Sequence, residues 1–441
     1  MSKLVVETIE SKSGVPVNFP QGITIGEGGK FGNINYIGIA GQQGFGVGIC
    51  PQVPDGFGQL SGTNDIGSDN YGNYQYSDGS IMVWMPAFYY KYGTGSNGLA
   101  VNDVDIKGFY DYENVADANA AGYALHRAFY NNGIIQQGVF VDKYLCSNNG
   151  GIASSIKLGN PLSQHVDHNP FSLVGAANAY YGAIDAAKSR GADFFCNTQF
   201  IFKALALLSL AHGQSSSGVT NCAWYDDSGI TNYPKGCNNN ALGDTDDNTL
   251  SFVSDGYSNA AKTGSANVFD KTTHNGMNSG VCDLNGNLWE ISIGLTSSAT
   301  NIFLLSTSAD VKAITSGNTL ATDAWGATAH AAIYDDLGTT FESITNSSTN
   351  KLIGSVNQVL SDSISGDAWA ASCAGIALLN GTGGVNKFGN DYYYDRVHND
   401  MCPVLGGAWS TASGAGVWSL NLVSVRGTSS GNVGMRSALY L

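Results

Sequence analysis

Several groups of side chains along the 441-residue chain have the types and spacing of known chemistry. Gly427-Thr428-Ser429-Ser430-Gly431 fits the G-x-S-x-G pattern of a serine nucleophile. A nucleophile elbow needs a following helix and a downstream histidine. Only ten residues follow and none is His, so chance in a Ser/Gly-rich tail is the better reading. His165 and His168 flank Asp167 and could offer two imidazoles to a metal, without a recognisable third ligand. Asp244, Asp246 and Asp247 could bind calcium but lack the Gly and terminal Glu of an EF-hand loop. Both groups read better as solvated loop residues, and no cofactor is expected, with structural calcium left open. Arg396, His398 and Asp400 form a charge cluster that suits loop orientation as well as ligand contact. The eight cysteines, Cys50, Cys146, Cys196, Cys222, Cys237, Cys282, Cys373 and Cys402, include no C-x-x-C pair. Buried free thiols are expected, with Cys222 and Cys237 the pair best placed to overturn that.

Binding chemistry is more evident than catalytic chemistry. Residues 406–441 read GGAWSTASGAGVWSLNLVSVRGTSSGNVGMRSALYL, with Trp409, Trp418, Arg426 and Arg436 among small uncharged residues. No acidic side chain occurs from Met401 onward, although the whole chain carries a formal charge of -15. Large rigid rings among adaptable hydroxyl and glycine positions are what recognition surfaces use, because a ring gives contact area at little entropic cost.

The acidic balance excludes a phosphate-backbone partner, since nucleic-acid binding needs a basic footprint that releases counterions. No run of 18 apolar residues is present, so no membrane insertion is expected, and MSKLVVETIE lacks the apolar core of a signal peptide. Charged residues are only 12%, with 58 glycines, while 43% hydrophobic content supplies a core. That balance suits a secreted or virion-surface β-rich protein.

The elements that must position these residues are legible in part. Residues 1–30 alternate short apolar runs with Gly and Pro, as strands of an attachment or oligomerisation segment would. Residues 31–79 are rich in Gly and Tyr and read as short strands and loops. SIMVWMPAFYYKYG (80–93) and IIQQGVFVDKYLCSNN (134–149) read as strands. In AANAYYGAIDAAKSRG, Tyr180, Ile184 and Ala187 recur at helical spacing before Gly191. In TQFIFKALALLSLAHG, Thr198 caps a helix whose stripe is Ile201, Ala204, Leu205 and Leu208, with Gly213 as its stop. The polar stretch 215–278 reads as long inserted loops.

GVCDLNGNLWE (280–290), then GGAW, AGVWSLNL, Arg426 and NVGMR (432–436), resemble the formylglycine-generating enzyme and sulfatase-modifying family, which shares the C-type lectin fold. The terminal blocks are also similar to the variable regions of phage tail-fibre receptor-binding proteins diversified by retroelements. The resemblance covers scattered blocks of residues 80–441 and implies an α+β fold: a C-type lectin-like domain of the sulfatase-modifying subtype with a short β-rich N-terminal fibre region. It implies structural roles for Asn287, Trp289, Glu290, Gly406, Gly407, Arg426, Gly434 and Arg436. The family's acidic helix motif is degraded here to GADFFCNTQFIF, and its two catalytic cysteines are replaced by small residues such as Ser410, Thr411 and Ser413. Thiol-based oxidation is therefore not expected.

What the resemblance does imply is a ligand-binding terminal region, 404–441, within a domain spanning 80–441. Its contact candidates are Trp409, Ser410, Thr411, Ser413, Gly414, Trp418, Val423, Ser424, Thr428 and Ser430. Trp409 is divided between core and ligand, whereas Trp418, standing where the family commonly has Phe, is expected to be exposed or semi-exposed. The implied protein is a non-enzymatic virion tail component, a homotrimer joined to other tail proteins by its N-terminus and recognising a host cell-surface protein or glycan. The alternatives are a cellular display or adhesion protein of the same fold, and a sulfatase-modifying-like enzyme or polysaccharide hydrolase, which paired acids in one cleft would favour.

Overall fold

The computed structural model describes residues 23–25, 29–31, 36–163, 179–227, 232–257, 259–298, 301–316, 332–338, 351–353, 357–378, 388–396, 399–427 and 430–441. Apart from the hairpin Ile23–Ile25 with Gly29–Phe31, the expected attachment segment lies outside these residues, as do His165, Asp167, His168, His398 and Thr428. The described chain is β-rich with few helices.

Its first sheet has six strands in the order Phe195–Cys196, Ser437–Leu439, Gly138–Asp142, Ile81–Pro86, Asn73–Tyr76, Phe57–Gln59, with every neighbouring pair antiparallel. The continuous apolar run of Ile81–Pro86 fits a central strand covered on both faces. Side chains alternate across a strand, and Met82 and Trp84 pack with Tyr74, Phe140 and Leu439 on one face while Val83 and Met85 join the main core on the other. The sheet crosses the boundary drawn near residue 80, because two strands of the glycine-rich region pair into it.

The second six-stranded sheet has the order Lys351–Leu352, Tyr392–Tyr394, Leu420–Asn421, Val404–Leu405, Trp289–Ile291, Val433–Gly434. Tyr392–Tyr394 runs parallel to Leu420–Asn421 and Trp289–Ile291 parallel to Val433–Gly434, the other pairs being antiparallel. The terminal segment thus gives three strands to this sheet and a fourth, Ser437–Leu439, to the first. It ties the two together.

Among the described residues four α-helices accompany the sheets: α1 (Val115–Ala120), α2 (Ala179–Lys188), α3 (Gln199–Ser215) and α4 (Gly366–Cys373). Thr198 caps α3 by accepting the Ile201 N–H at 3.1 Å. The helix continues two residues past Gly213, and it is buried around its whole circumference, Lys203, Ser209 and His212 included, not only along the apolar stripe. All eight cysteines are buried free thiols.

Candidate functional site

The residues expected to form the framework are all buried. Arg436 is fully buried and meets Glu290 through two bonds, Nε to Oε2 and Nη2 to Oε1, each 2.7 Å. It also donates to the carbonyls of Asp142 at 2.9 Å and Cys282 at 2.8 Å, so one guanidinium spans both sheets. Burial raises the Glu290 carboxyl above its ordinary range, and Arg436 draws it part of the way back. Arg426, equally buried, donates to Thr296 Oγ1 at 2.8 Å. Trp289, Gly407 and Gly434 are buried as well.

Asn287, in a left-handed conformation with φ 66°, bonds both ways to the backbone of Ala261, at 2.8 and 3.0 Å. Its carbonyl takes the Trp409 N–H at 2.8 Å. Gly406 has φ 84°, and a Cβ there would lie 2.6 Å from the Leu284 carbonyl oxygen, so only glycine starts the terminal loop in this way.

From Gly406 the chain rises into a loop whose outward positions include Ser410 (exposed) and Thr411 and Ser413 (half-buried). The Thr411 hydroxyl is turned inward in part, accepting the Ala408 N–H at 2.8 Å. Trp409 is half-buried against Leu145, Ala260 and Leu288. The inserted loop around residues 236–260 buttresses this one: Ala412 N–H donates to Asn238 and Asn240 N–H donates to Trp409, both at 2.8 Å. Within the buttress, Asp244 accepts from Gly236 N–H at 3.0 Å and from Asn238 Nδ2 and Asp246 N–H at 2.9 Å. Its carboxylate is committed to the loop. Among the described residues no group of three His, Cys, Asp or Glu is arranged to hold a metal ion.

Strand directions divide the remaining candidates. Val404–Leu405 runs antiparallel to Trp289–Ile291 and Leu420–Asn421, so the loop it feeds emerges at the end where the parallel strands begin. Ser430, half-buried and bonded to Asn432, precedes Val433–Gly434 and lies at that same end. Val423 and Ser424, also half-buried, follow Leu420–Asn421 and lie at the opposite end, roughly 15 Å away at about 3.3 Å per residue. The structure therefore brings together Trp409, Ser410, Thr411, Ser413 and Ser430, and leaves Val423 and Ser424 elsewhere.

Two candidates are corrected outright. Trp418 is 1% exposed, not a surface anchor: its ring meets Phe388 edge-on at 5.1 Å, and Lys203 Nζ lies 5.6 Å from it. Gly414 is buried beneath the Tyr392 ring, which an added Cβ would strike at 2.3 Å. Most of residues 404–441 is core, and the outward part is a rim.

The rim has members that sequence reasoning missed. Tyr257, 50% exposed, stands by Gly431, where a Cβ would lie 3.9 Å from its ring. Asn240 is exposed and accepts from Asn259 Nδ2 at 2.5 Å. The signal available was compositional only: an Asn- and Tyr-bearing inserted loop beside the terminal segment.

A separate cleft of about 510 Å³ is lined by Trp224, Tyr225, Asp246, Asp247, Asp270 and Lys271, among others. Lys271 Nζ meets Asp247 at 2.8 Å. Burial works to raise Asp247, but Lys271 and Thr249 outweigh it and hold the carboxyl low, whereas burial raises Asp270. Asp270 Oδ1 is buried with no hydrogen-bond partner. By contrast Cys237, whose thiol donates to the Asn259 carbonyl beside the rim, is a poor nucleophile, because burial pushes it well up. Among the described residues no helix is long and apolar enough to cross a membrane.

No family model matches the chain, and no curated protein does. Among solved structures it is similar to a chain named Major Tropism Determinant U1 Variant, with a TM-score of 0.29 and 11% identity over 83% of this chain. The match covers 65% of that chain, so the present sequence spans just under two thirds of its length.

Proposed function

We propose that this protein binds a host-cell surface receptor, protein or glycan, as a component of a phage tail, through the rim of Ser410, Thr411, Ser413 and Ser430 with Trp409, Tyr257 and Asn240. On this reading the scaffold is a C-type lectin-like domain of the sulfatase-modifying subtype, residues 1–30 join other tail proteins, and three copies assemble so that weak contacts add by avidity. The observation that carries it is the division of labour in the terminal segment. Its main chain is woven into both sheets and locked by Arg436 and Arg426, while its outward side chains at 410–413 and 430 are short and uncharged, those of Thr411 and Ser430 being bonded within their own turns. Such a rim supplies adaptable hydrogen bonding beside a rigid aromatic anchor.

The test is adsorption. Labelled full-length protein binds intact host bacteria, and combined substitution of Ser410, Ser413, Ser430 and Tyr257 by Lys lowers that binding at least tenfold with unchanged unfolding. Unchanged adsorption sinks the assignment. The Asp270 and Asp247 pair favours a second reading, saccharide hydrolysis, because carboxyls driven apart in one cleft are the mark of an acid and its ionised partner. Release of reducing ends from host surface polysaccharide, abolished in Asp270→Asn, would support it, and no release would exclude it.

A further inference from the structure

Residues 416–419 descend from the rim into the second sheet, and two charged side chains from distant parts of the chain grip them there. Lys203, buried in the middle of α3, points its Nζ at three successive carbonyls, those of Val417 at 3.3 Å, Trp418 at 3.0 Å and Ser419 at 3.4 Å. Its stem lies against Gly375, where a Cβ would come within 2.8 Å of Cδ and Cε. Asp391, immediately before Tyr392–Tyr394, accepts the Trp418 N–H through Oδ2 at 2.8 Å. Its Oδ1 sits so close to Gly416 that a Cβ there would lie 1.9 Å away.

The grip is linked directly to the rim. The Ser419 hydroxyl donates to the Gly414 carbonyl and accepts the Tyr392 N–H at 3.1 Å, and Gly416 N–H donates to Gly406 at 3.0 Å. The same four residues that Lys203 and Asp391 hold therefore close the base of the 406–416 loop.

We propose that Lys203 and Asp391 are positioning residues, an ionic clamp on the main chain of residues 416–419 that fixes the pose of the loop bearing Ser410, Thr411 and Ser413. Every hydrogen bond that Lys203 donates here goes to a main-chain carbonyl and Asp391 accepts from main-chain N–H groups, so at 417–419 the clamp meets only one side chain, the Trp418 ring over which Lys203 Nζ lies. Only Gly416 is dictated by it. The importance of the pose for binding rests on the proposed function; the clamp itself does not.

Asp391 is the charged group acting on Lys203, and Tyr233 and Asp246 act on Asp391 from the inserted loop. Burial lowers the Lys203 ammonium to about 7, partly offset by Asp391. As pH rises through that value Nζ loses one of its three donors, and the clamp loosens.

Hydrogen exchange followed by mass spectrometry tests this on the full chain. Lys203→Met leaves Asp391 a lone buried charge, so exchange over residues 406–422 rises at least tenfold and the unfolding midpoint falls. In Lys203→Met/Asp391→Asn no lone charge remains: the midpoint recovers while local exchange stays at least fivefold above the parent. That separation of global stability from local protection is what a merely structural lysine would not give. In the parent, protection of residues 416–419, corrected for intrinsic rate, declines between pH 6 and 8; in the double variant it is flat. Parent-like exchange over 406–422 in the double variant, or a rise spread equally over residues 81–86 and 138–142, overturns the clamp. Should Lys203→Met fail to fold, the double variant alone decides. Elevated local exchange with unchanged adsorption would leave the clamp standing and refute the binding role of the loop.

Discussion

Trp418 separates a rim from a whole-segment binding surface, and its replacement gives different answers for the two. The indole is buried to 1% exposure between Phe388 and Lys203, and its Nε1 is buried without a hydrogen-bond partner. Truncation to Ala removes a ring that buries about 150–250 Å², which at about 25 cal/mol per Å² is roughly 4–6 kcal/mol. The range of ~3–5 kcal/mol for large-to-small aromatic changes in cores agrees with it. Replacement by Phe works in two directions. It opens a small void, but it also removes an unsatisfied N–H, a defect of about 1–3 kcal/mol. Trp418→Phe is therefore expected to change stability by less than ~1.5 kcal/mol, the small void and the relieved N–H offsetting each other, and to leave receptor binding intact. Urea unfolding of the three proteins, with adsorption to host cells measured on each, makes the comparison. If Trp418→Phe kept its unfolding midpoint yet lost adsorption, the indole would be touching the ligand and its burial here would be refuted.

The Arg436 to Glu290 pair predicts coupling: Arg436→Met strands a buried carboxylate and costs about 3–5 kcal/mol, while Arg436→Met/Glu290→Met costs clearly less than the sum of the single changes, as a double-mutant cycle in denaturant would register. Thr198→Ala removes the N-cap of α3 and costs ~1 kcal/mol, measured by unfolding midpoint, and an unchanged midpoint would show the cap to be idle. His212 and His274 are buried, which lowers them to about 4 and about 3, so their imidazole proton shifts in NMR stay flat from pH 8 to 5. Because each is depressed in the folded state, each contributes stability that is present above its unfolded value near 6.5 and is lost as pH falls from there through 4 and 3. A titration of either ring near 6.5 in the folded protein would contradict the burial.

How far the sequence reveals this structure depends on the range of the interaction that decides each residue. Signals contained within a few positions came through: Thr198 before the α3 stripe, the apolar run of Ile81–Pro86 and the buried faces of Tyr180, Ile184 and Ala187 each depend on neighbours in sequence. The start of the terminal loop was not visible in this way, since what fixes Gly406 is a left-handed backbone pressed against the distant Leu284 carbonyl. Trp418 failed because its fate is set by Lys203 and Phe388, neither of them near it in the chain, and a tryptophan among serines and glycines looks the same whether or not a helix covers it. Val423 and Ser424 failed for a topological reason. Successive strands joined by short loops emerge at alternate ends of a sheet, so residues a dozen positions apart in a serine-rich tail face different directions once Val404–Leu405 and Leu420–Asn421 are antiparallel. Tyr257 was missed in the converse way, an inserted loop bringing a distant ring to the side of Gly431.

These failures have one consequence for the binding surface. A segment that contributes strands to both sheets must bury alternate side chains, so it can offer only the positions in its turns, and those turns need support from outside to hold a fixed shape. Here that support is Asn238 and Asn287 at the crest and Lys203 with Asp391 at the base. On the proposed function, recognition therefore falls to a few loop residues and the inserted loop beside them, and the long terminal segment is chiefly the frame that carries them.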